Sequence, residues 1–328
     1  MTMLKLAVVG CGRMATELAQ RSVHLGRADI AAIYDPDPAA LETACAAFDA
    51  EPFTEIAELT RRADIEAFLV GSPPYYHREN VLALAPTGKP IYSEKPLCTT
   101  VAYCNEMIEA CRLSGSKLFV GQVLRLFPLF WKSREILTSG VLGKPSLCSI
   151  TRAGRGTFFG EGWRREFAIT GGLLMEVNAH EFDYMLSILG AAESVYAQGR
   201  NLNGWGNYDD TLVVQIRFEN GGIGVLHSSN ASPTGEYRVH IQATQGSMTH
   251  GGFGGELRYQ AFGSATPTLL TLQDCADLPN PYDRELLSFF DWVEYDTPPL
   301  FTGETGRANV AVAEAAYRSL RSGQPERV

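Results

Sequence analysis

The sequence predicts an α/β protein of two domains, and three observations carry that reading. Its 328 residues, 45% of them apolar, exceed the roughly 100–200 residues of one ordinary domain and can bury a sizeable core. The first third alternates short apolar runs with helical patterns, as a parallel sheet with covering helices requires. Beyond residue 121 the strand segments lengthen and alternate in polarity, which predicts an α+β domain with a large, mostly antiparallel sheet. The expected division is 1–121 and 122–328.

In the first domain, strands are expected at residues 4–9, 30–34, 67–70, 90–93 and 117–120, with helices at 13–25, 39–48, 80–85 and 101–114. In the second, a helix near 129–138 precedes strands at 146–152, 195–200, 211–218, 222–230 and 237–243. Glu219-Asn220-Gly221-Gly222 separates two of these as a hairpin turn does. Gly171-Gly172 opens a helix running to about residue 189, and further helices are expected at 283–295 and 304–321. The last has alanines and aliphatics at helical spacing and reads as packing.

Composition narrows the function. A net charge of −9 without long Lys/Arg runs argues against a surface for nucleic acid or anionic lipid. The apolar run at residues 6–9 is too short for a signal-peptide core or a membrane span, so a cytoplasmic location is expected. Seven cysteines form neither a Cys-x-x-Cys pair nor a zinc spacing, which suits reduced thiols with no assigned function.

At the first strand-to-helix turn stands Gly10-Cys11-Gly12-Arg13-Met14-Ala15. The first glycine permits a tight turn, the second lets the backbone approach a pyrophosphate, and Ala15 permits close helix packing. The phosphates would sit on the amides of the helix amino terminus. The second strand ends in Tyr34-Asp35-Pro36. Asp35 can accept hydrogen bonds from both adenine-ribose hydroxyls and would repel a 2′-phosphate, which favours NAD over NADP.

Ser72-Pro73-Pro74-Tyr75-Tyr76-His77 follows the 67–70 strand, at the carboxyl edge where open parallel sheets bind ligands. There Ser72 and Pro73 are expected beside the cofactor, and His77 either contacts the nicotinamide ribose or marks the next helix start. Glu94-Lys95-Pro96 follows another strand. A lysine held by a neighbouring acid and a rigid proline can reach a bound cofactor and carry a proton, although such a tripeptide is also a common surface turn. In the predicted 171–189 helix, Glu176, His180 and Asp183 fall at i, i+4 and i+7, on one face. A metal reading of that face lacks a clear third ligand.

The ordered set Gly10-x-Gly12-x-x-Ala15, Asp35, Glu94-Lys95-Pro96 and Gly171-Gly172 followed by His180-x-x-Asp183 resembles the glucose-fructose oxidoreductase, inositol dehydrogenase and MocA family over nearly the whole chain. The resemblance implies a Rossmann domain followed by a domain with an open sheet that supports homodimers or homotetramers. It also implies NAD(P)-dependent oxidation or reduction of a secondary alcohol in a sugar, cyclic polyol or related compound. By resemblance Lys95 is the family lysine and His180 the family histidine. The acid four residues before that histidine is usually aspartate, where this chain has Glu176, and Asn178 replaces a usual glycine. One added methylene shifts a carboxylate by more than about an ångström, enough to alter how a substrate hydroxyl is held.

Alcohol oxidation sends a hydride to nicotinamide and a proton to a base. His180 starts near a pKa of about 6.5, while burial and positive charge can lower Lys95 from about 10.4, so either can take the proton. These side chains suit His180 as general acid/base, Lys95 as hydrogen-bond donor to the reacting oxygen or also as proton relay, and Glu176 as the group orienting the pair or a neighbouring hydroxyl. Substrate contacts are expected from Gln122, Arg125 and Asn178, and from the loop at residues 154–165. In that loop Trp163 or a phenylalanine can stack on a pyranose and one arginine, such as Arg164, can meet an anionic group. Tyr282 is also expected near the site. Two other functions use the same motifs: an NAD-dependent glycosidase working through transient oxidation, elimination and re-reduction, and a non-catalytic nucleotide sensor.

Overall fold

The computed structural model describes residues 3–156 and 161–328. The chain forms two compact units, residues 1–122 with 282–310, and residues 123–281 with 311–328. A single division after residue 121 therefore does not hold for the later chain.

The first unit is built on a six-stranded parallel sheet of β1 (Leu4–Val9), β2 (Ala28–Tyr34), β3 (Glu51–Phe53), β4 (Ala67–Val70), β5 (Ile91–Glu94) and β6 (Leu118–Gly121). Their order, β3-β2-β1-β4-β5-β6, is that of a Rossmann fold, with a topological switch point between β1 and β4. Burial on both faces explains the uninterrupted apolar runs, such as fully buried Ala67, Phe68, Leu69 and Val70. Strand β3 is unforeseen because it is a three-residue, largely exposed edge with Pro52 at its centre.

Covering helices are α1 (Arg13–His24), α2 (Pro38–Phe48), the single turn α3 (Ile56–Leu59), α4 (His77–Leu84) and α5 (Val101–Ser114). Helix α1 buries Ala15, Leu18, Ala19 and Ser22, the stripe that helical spacing brings to one face. Asp37 caps α2 by accepting from the Ala39 and Ala40 amides, with Pro38 at the first helical position.

The second unit carries α6 (Pro128–Thr138), the single turns α7 (Phe167–Thr170) and α8 (Leu173–Glu176), and α9 (Ala179–Leu189). Its sheet consists of β7 (Pro145–Arg155), β8 (Ala192–Arg200), β9 (Thr211–Phe218), β10 (Ile223–Ser229), β11 (Ala231–Ala243), β12 (Gly246–Gly251), β13 (Gly254–Ala261), β14 (Thr268–Thr271) and β15 (Glu326–Arg327). They run in the order β14-β13-β12-β11-β7-β10-β9-β8-β15, with β7 and β10 parallel and the other neighbours antiparallel. One face is buried. On β9, Leu212, Val214, Ile216 and Phe218 point inward between exposed Val213, Gln215 and Arg217.

Two last helices, α10 (Pro281–Tyr295) and α11 (Gly303–Ser322), complete the chain. All but the first residue of α10, and the start of α11, belong to the first unit. There Asp283 pairs with Arg21 at 3.1 Å, Asp291 with Arg27 at 3.0 Å, and Glu285 accepts the Tyr92 hydroxyl at 2.8 Å. Phe289 and Phe301 pack on Phe119. Such pairings, roughly 170–265 residues apart in sequence, leave no local signal. Among the described residues no helix is long and apolar enough to cross a membrane.

Candidate active site

In the first unit, Gly10 has φ +83° and a Cβ there would stand 2.7 Å from the Ser72 backbone nitrogen, so only glycine fits. A Cβ on Gly12 would meet nothing nearer than the Gly71 carbonyl at 3.9 Å, which leaves that backbone open to a ligand. A Cβ on Gly71 would come 2.7 Å from that of Ala15, so α1 seats closely on the end of β4. Gly12 is the N-cap of α1, and the helix has no side chain capping its first amides and no acid in its first turn. Open N–H groups at the positive end of a helix, including those of Arg13 and Met14, fit a pyrophosphate.

Asp35 lies half-buried at the tip of β2. Its Oδ2 accepts from the Cys11 amide at 2.9 Å and the Cys11 thiol at 3.2 Å, and its Oδ1 accepts from the Asp37 amide at 2.9 Å. Burial, then the Asp35 hydrogen bond and charge, push the Cys11 thiol up to about 12. The neutral thiol is thus a donor that fixes the carboxylate, whose remaining lone pairs suit a ribose diol. The two acids of Asp35-Pro36-Asp37 have separate tasks, one at the cofactor turn and one capping α2.

The loop after β4 differs from expectation at His77. Its ring is fully buried, with Nδ1 2.9 Å from the Pro96 carbonyl and Nε2 2.7 Å from the Ser72 carbonyl. Neither nitrogen is left for a nicotinamide ribose. His77 is instead the first residue of α4, the other reading of its position. Ser72 accepts Asn80 Nδ2 on its hydroxyl at 2.9 Å and packs on Gly10, while Pro73 starts the turn into α4.

Glu94 ends β5 and is nearly buried, with its Oε2 accepting the Lys95 amide at 3.0 Å. Lys95 is half-buried and precedes Pro96 through a cis peptide bond. A Cβ on Gly121 would meet the Tyr92 hydroxyl at 2.5 Å and Glu94 Oε1 at 3.1 Å, so that glycine lets β6 approach the acid. Next to it, Gln122 is fully buried and neither side-chain amide atom finds a partner among the described residues. Tyr282 lies under Arg21, 5.4 Å from ring centre to guanidinium. Burial and then the Glu94 charge raise its hydroxyl pKa.

In the second unit the expected continuous helix is broken. Turn α8 ends at Glu176 and α9 begins at Ala179, with Asn178 outside helical geometry at φ −90°, ψ 1°. Glu176, His180 and Asp183 therefore do not share one helix face. Within residues 170–185, His180 alone is not buried. Glu176 is 9% exposed, and its charge is the second cause, after burial, that pushes Tyr208 up to about 12.

Four expected substrate contacts have partners within the protein. Asn178 is fully buried and donates Nδ2 to Glu181 at 2.9 Å, while its Oδ1 has no partner among the described residues. Arg125 makes a two-pronged pair with Asp183, whose carboxyl pKa burial raises against the opposing Arg125 charge. Trp163 carries the Arg164 guanidinium on its ring at 4.1 Å. The Arg164 carbonyl accepts the Tyr208 hydroxyl at 2.7 Å. Phe158 and Phe159, alternative stacking residues, lie outside the described residues.

The sequence reading missed Glu181 and Tyr237. Glu181 is fully buried and accepts from Arg152 at 2.8 Å and from the Tyr237 hydroxyl at 2.7 Å as well as from Asn178. Arg152 and Tyr237 are direct partners across β7 and β11. Asn207 was missed too: it ties its loop to the Trp163 segment through the Arg165 carbonyl at 2.9 Å and the Phe167 amide at 2.6 Å.

Residues 4–122 match the oxidoreductase family model with an NAD-binding Rossmann fold, and residues 130–249 match the GFO/IDH/MocA C-terminal domain. The chain belongs to the Gfo/Idh/MocA oxidoreductase family. This family member binds NAD through its Rossmann unit, and it is an enzyme of the dehydrogenase and reductase type. It is 27% identical to the myo-inositol 2-dehydrogenase of Thermotoga maritima over 97% of this chain and 96% of that one. It is 29% identical to the 2,7-anhydro-N-acetylneuraminate hydratase of Mediterraneibacter gnavus over 74% of this chain and 66% of the relative. Its fold is that of the WlbA dehydrogenase of Bordetella pertussis, solved with NADH and UDP-GlcNAcA, at TM-score 0.87, 22% identity and 99% coverage of each chain.

Proposed function

We propose that the protein transfers a hydride between nicotinamide and a secondary alcohol of a sugar, sugar derivative or cyclic polyol. His180 acts as general acid/base, Lys95 as hydrogen-bond donor to the reacting oxygen, and Glu176 as the orienting carboxylate. The observation that carries this reading is the accessibility of His180 alone in an otherwise buried stretch. An imidazole titrates near neutral pH and can both take and return a proton.

Gly10, Gly12 and the first amides of α1 would hold the pyrophosphate, and Asp35, fixed by Cys11, the adenine ribose. Bound NAD supplies the hydride acceptor. In the oxidising direction His180 removes the hydroxyl proton as the carbinol C–H bond breaks and the C=O bond forms. Lys95 stabilises the negative charge that grows on that oxygen, and reduction runs the same steps backwards.

The test is a panel of sugars, sugar acids and polyols incubated with NAD and followed by NADH absorbance. At least one should give stoichiometric NADH. Lys95→Ala and His180→Ala should each lower turnover by about a hundredfold or more while NADH still binds. Near wild-type turnover in both variants defeats the assignment.

A second reading is favoured by the hydratase name of one relative. In this reading transient oxidation of a sugar carbon acidifies its neighbour, a bond is eliminated, and re-reduction restores the cofactor, so no NADH accumulates. Cleavage of a chromogenic glycoside without net NADH would select it.

A further inference from the structure

We propose that His77 is a positioning residue for Lys95, a role that rests on the functional reading above. A buried ring that only filled space would need no polar atoms, yet both His77 nitrogens face backbone carbonyls of different segments, Pro96 at 2.9 Å and Ser72 at 2.7 Å. The Pro96 carbonyl lies one residue beyond Lys95. The Ser72 backbone packs against Gly10, where even a Cβ would collide at 2.7 Å. His77 thus lies between the segment that carries the lysine and the segment that seats the cofactor turn.

Burial is the main cause that lowers the His77 pKa, with the Lys95 charge acting in the same direction and the carbonyls of Ser72, Pro96 and Leu97 opposing it. A neutral ring carries a single N–H and can donate it to only one of the two carbonyls; the proposed role takes the Nδ1–H tautomer, which holds Pro96. Loss of that donor frees the Pro96 peptide and with it the backbone of Lys95. In a site where displacement by an ångström is costly, this changes the lysine rather than the affinity for the cofactor.

Asparagine places its amide nitrogen near the position of Nδ1, and glutamine near that of Nε2. The full-length His77→Asn, His77→Gln and His77→Leu variants are treated with trace acetic anhydride across a pH series. Acetylation of Lys95 is read by peptide mass spectrometry against exposed Lys144 in the same sample. The wild type and His77→Asn should agree within about twofold, whereas His77→Gln and His77→Leu should shift the Lys95 rate or its pH midpoint by about fivefold in rate or more. A variant without donors that labels like the wild type overturns the proposal, as does His77→Asn behaving like His77→Gln. The Asn–Gln comparison decides the matter even where His77→Leu does not fold. NADH titration of the wild type runs alongside. A wild type that does not bind NADH defeats the functional reading and leaves the labelling result intact.

Discussion

The turn at Gly10 and the segment around His180 are both built to present a few groups, but by opposite means. The first is made of backbone. A positive φ at Gly10, open amides at the start of α1 and the close seating of Ala15 on Gly71 need little beyond the absence of side chains. The second is made of side chains. Asn178, Glu181, Arg152 and Tyr237 hold the broken helix in place from two strands and a turn. A backbone site fails when an atom is added, and a side-chain site fails when one is removed.

The largest expected effect comes from adding atoms at Gly10. Gly10→Val forces a β-branched residue to φ +83° and drives its Cβ into the Ser72 backbone, a strained combination with no flexible neighbour to yield. NADH affinity, measured by fluorescence titration, should fall about a thousandfold, or roughly 4 kcal/mol. An affinity within about threefold of wild type would show that this backbone is not the phosphate cradle.

Removing atoms is the corresponding break in the other unit. Glu181→Leu deletes the acceptor of three donors and leaves Arg152 without its carboxylate. Stripping one partner from a buried pair is costly, and Arg152 retains some solvent at 31% side-chain exposure. The expected loss is about 3 kcal/mol in urea unfolding, largely restored in Glu181→Leu/Arg152→Met. A single-variant loss below about 1 kcal/mol would mean that the network does not hold the segment.

The same contrast decides what was legible in the sequence. Gly10, Gly12, Ala15 and Asp35 are local signals, because the strand, turn and helix that give them meaning are adjacent. The break after Glu176 was illegible, since neither Val177 nor Asn178 is a helix breaker of the glycine or proline kind. The residues around it are tied by the Asn178 side chain to Glu181, itself held by Arg152 and Tyr237, 29 and 56 residues away in sequence. His77 was legible as notable but not in its role, which needs the two carbonyls that folding brings to its ring. Strands β12 and β13 escaped for a different reason: their glycines and alternating polar residues leave no apolar run.

The smallest expected effect separates the units by pH. His250 on β12 is buried against Phe130, accepts the Gly252 amide on Nδ1 at 3.1 Å, and burial lowers its pKa to about 3. In the unfolded chain the same group titrates near about 6.5. Between those values the unfolded state binds more protons than the folded one, so its contribution to stability is present above about pH 6.5 and is lost as the pH falls towards the folded pKa. Lowering the pH from about 6.5 to about 5 should cost about 2 kcal/mol through this group alone. His250→Asn keeps an acceptor for Gly252 and cannot titrate, so its urea-derived stability should begin lower and fall about 2 kcal/mol less over that range. Parallel curves for the two proteins would place the acid-sensitive group elsewhere, with buried His77 of the first unit the next to replace.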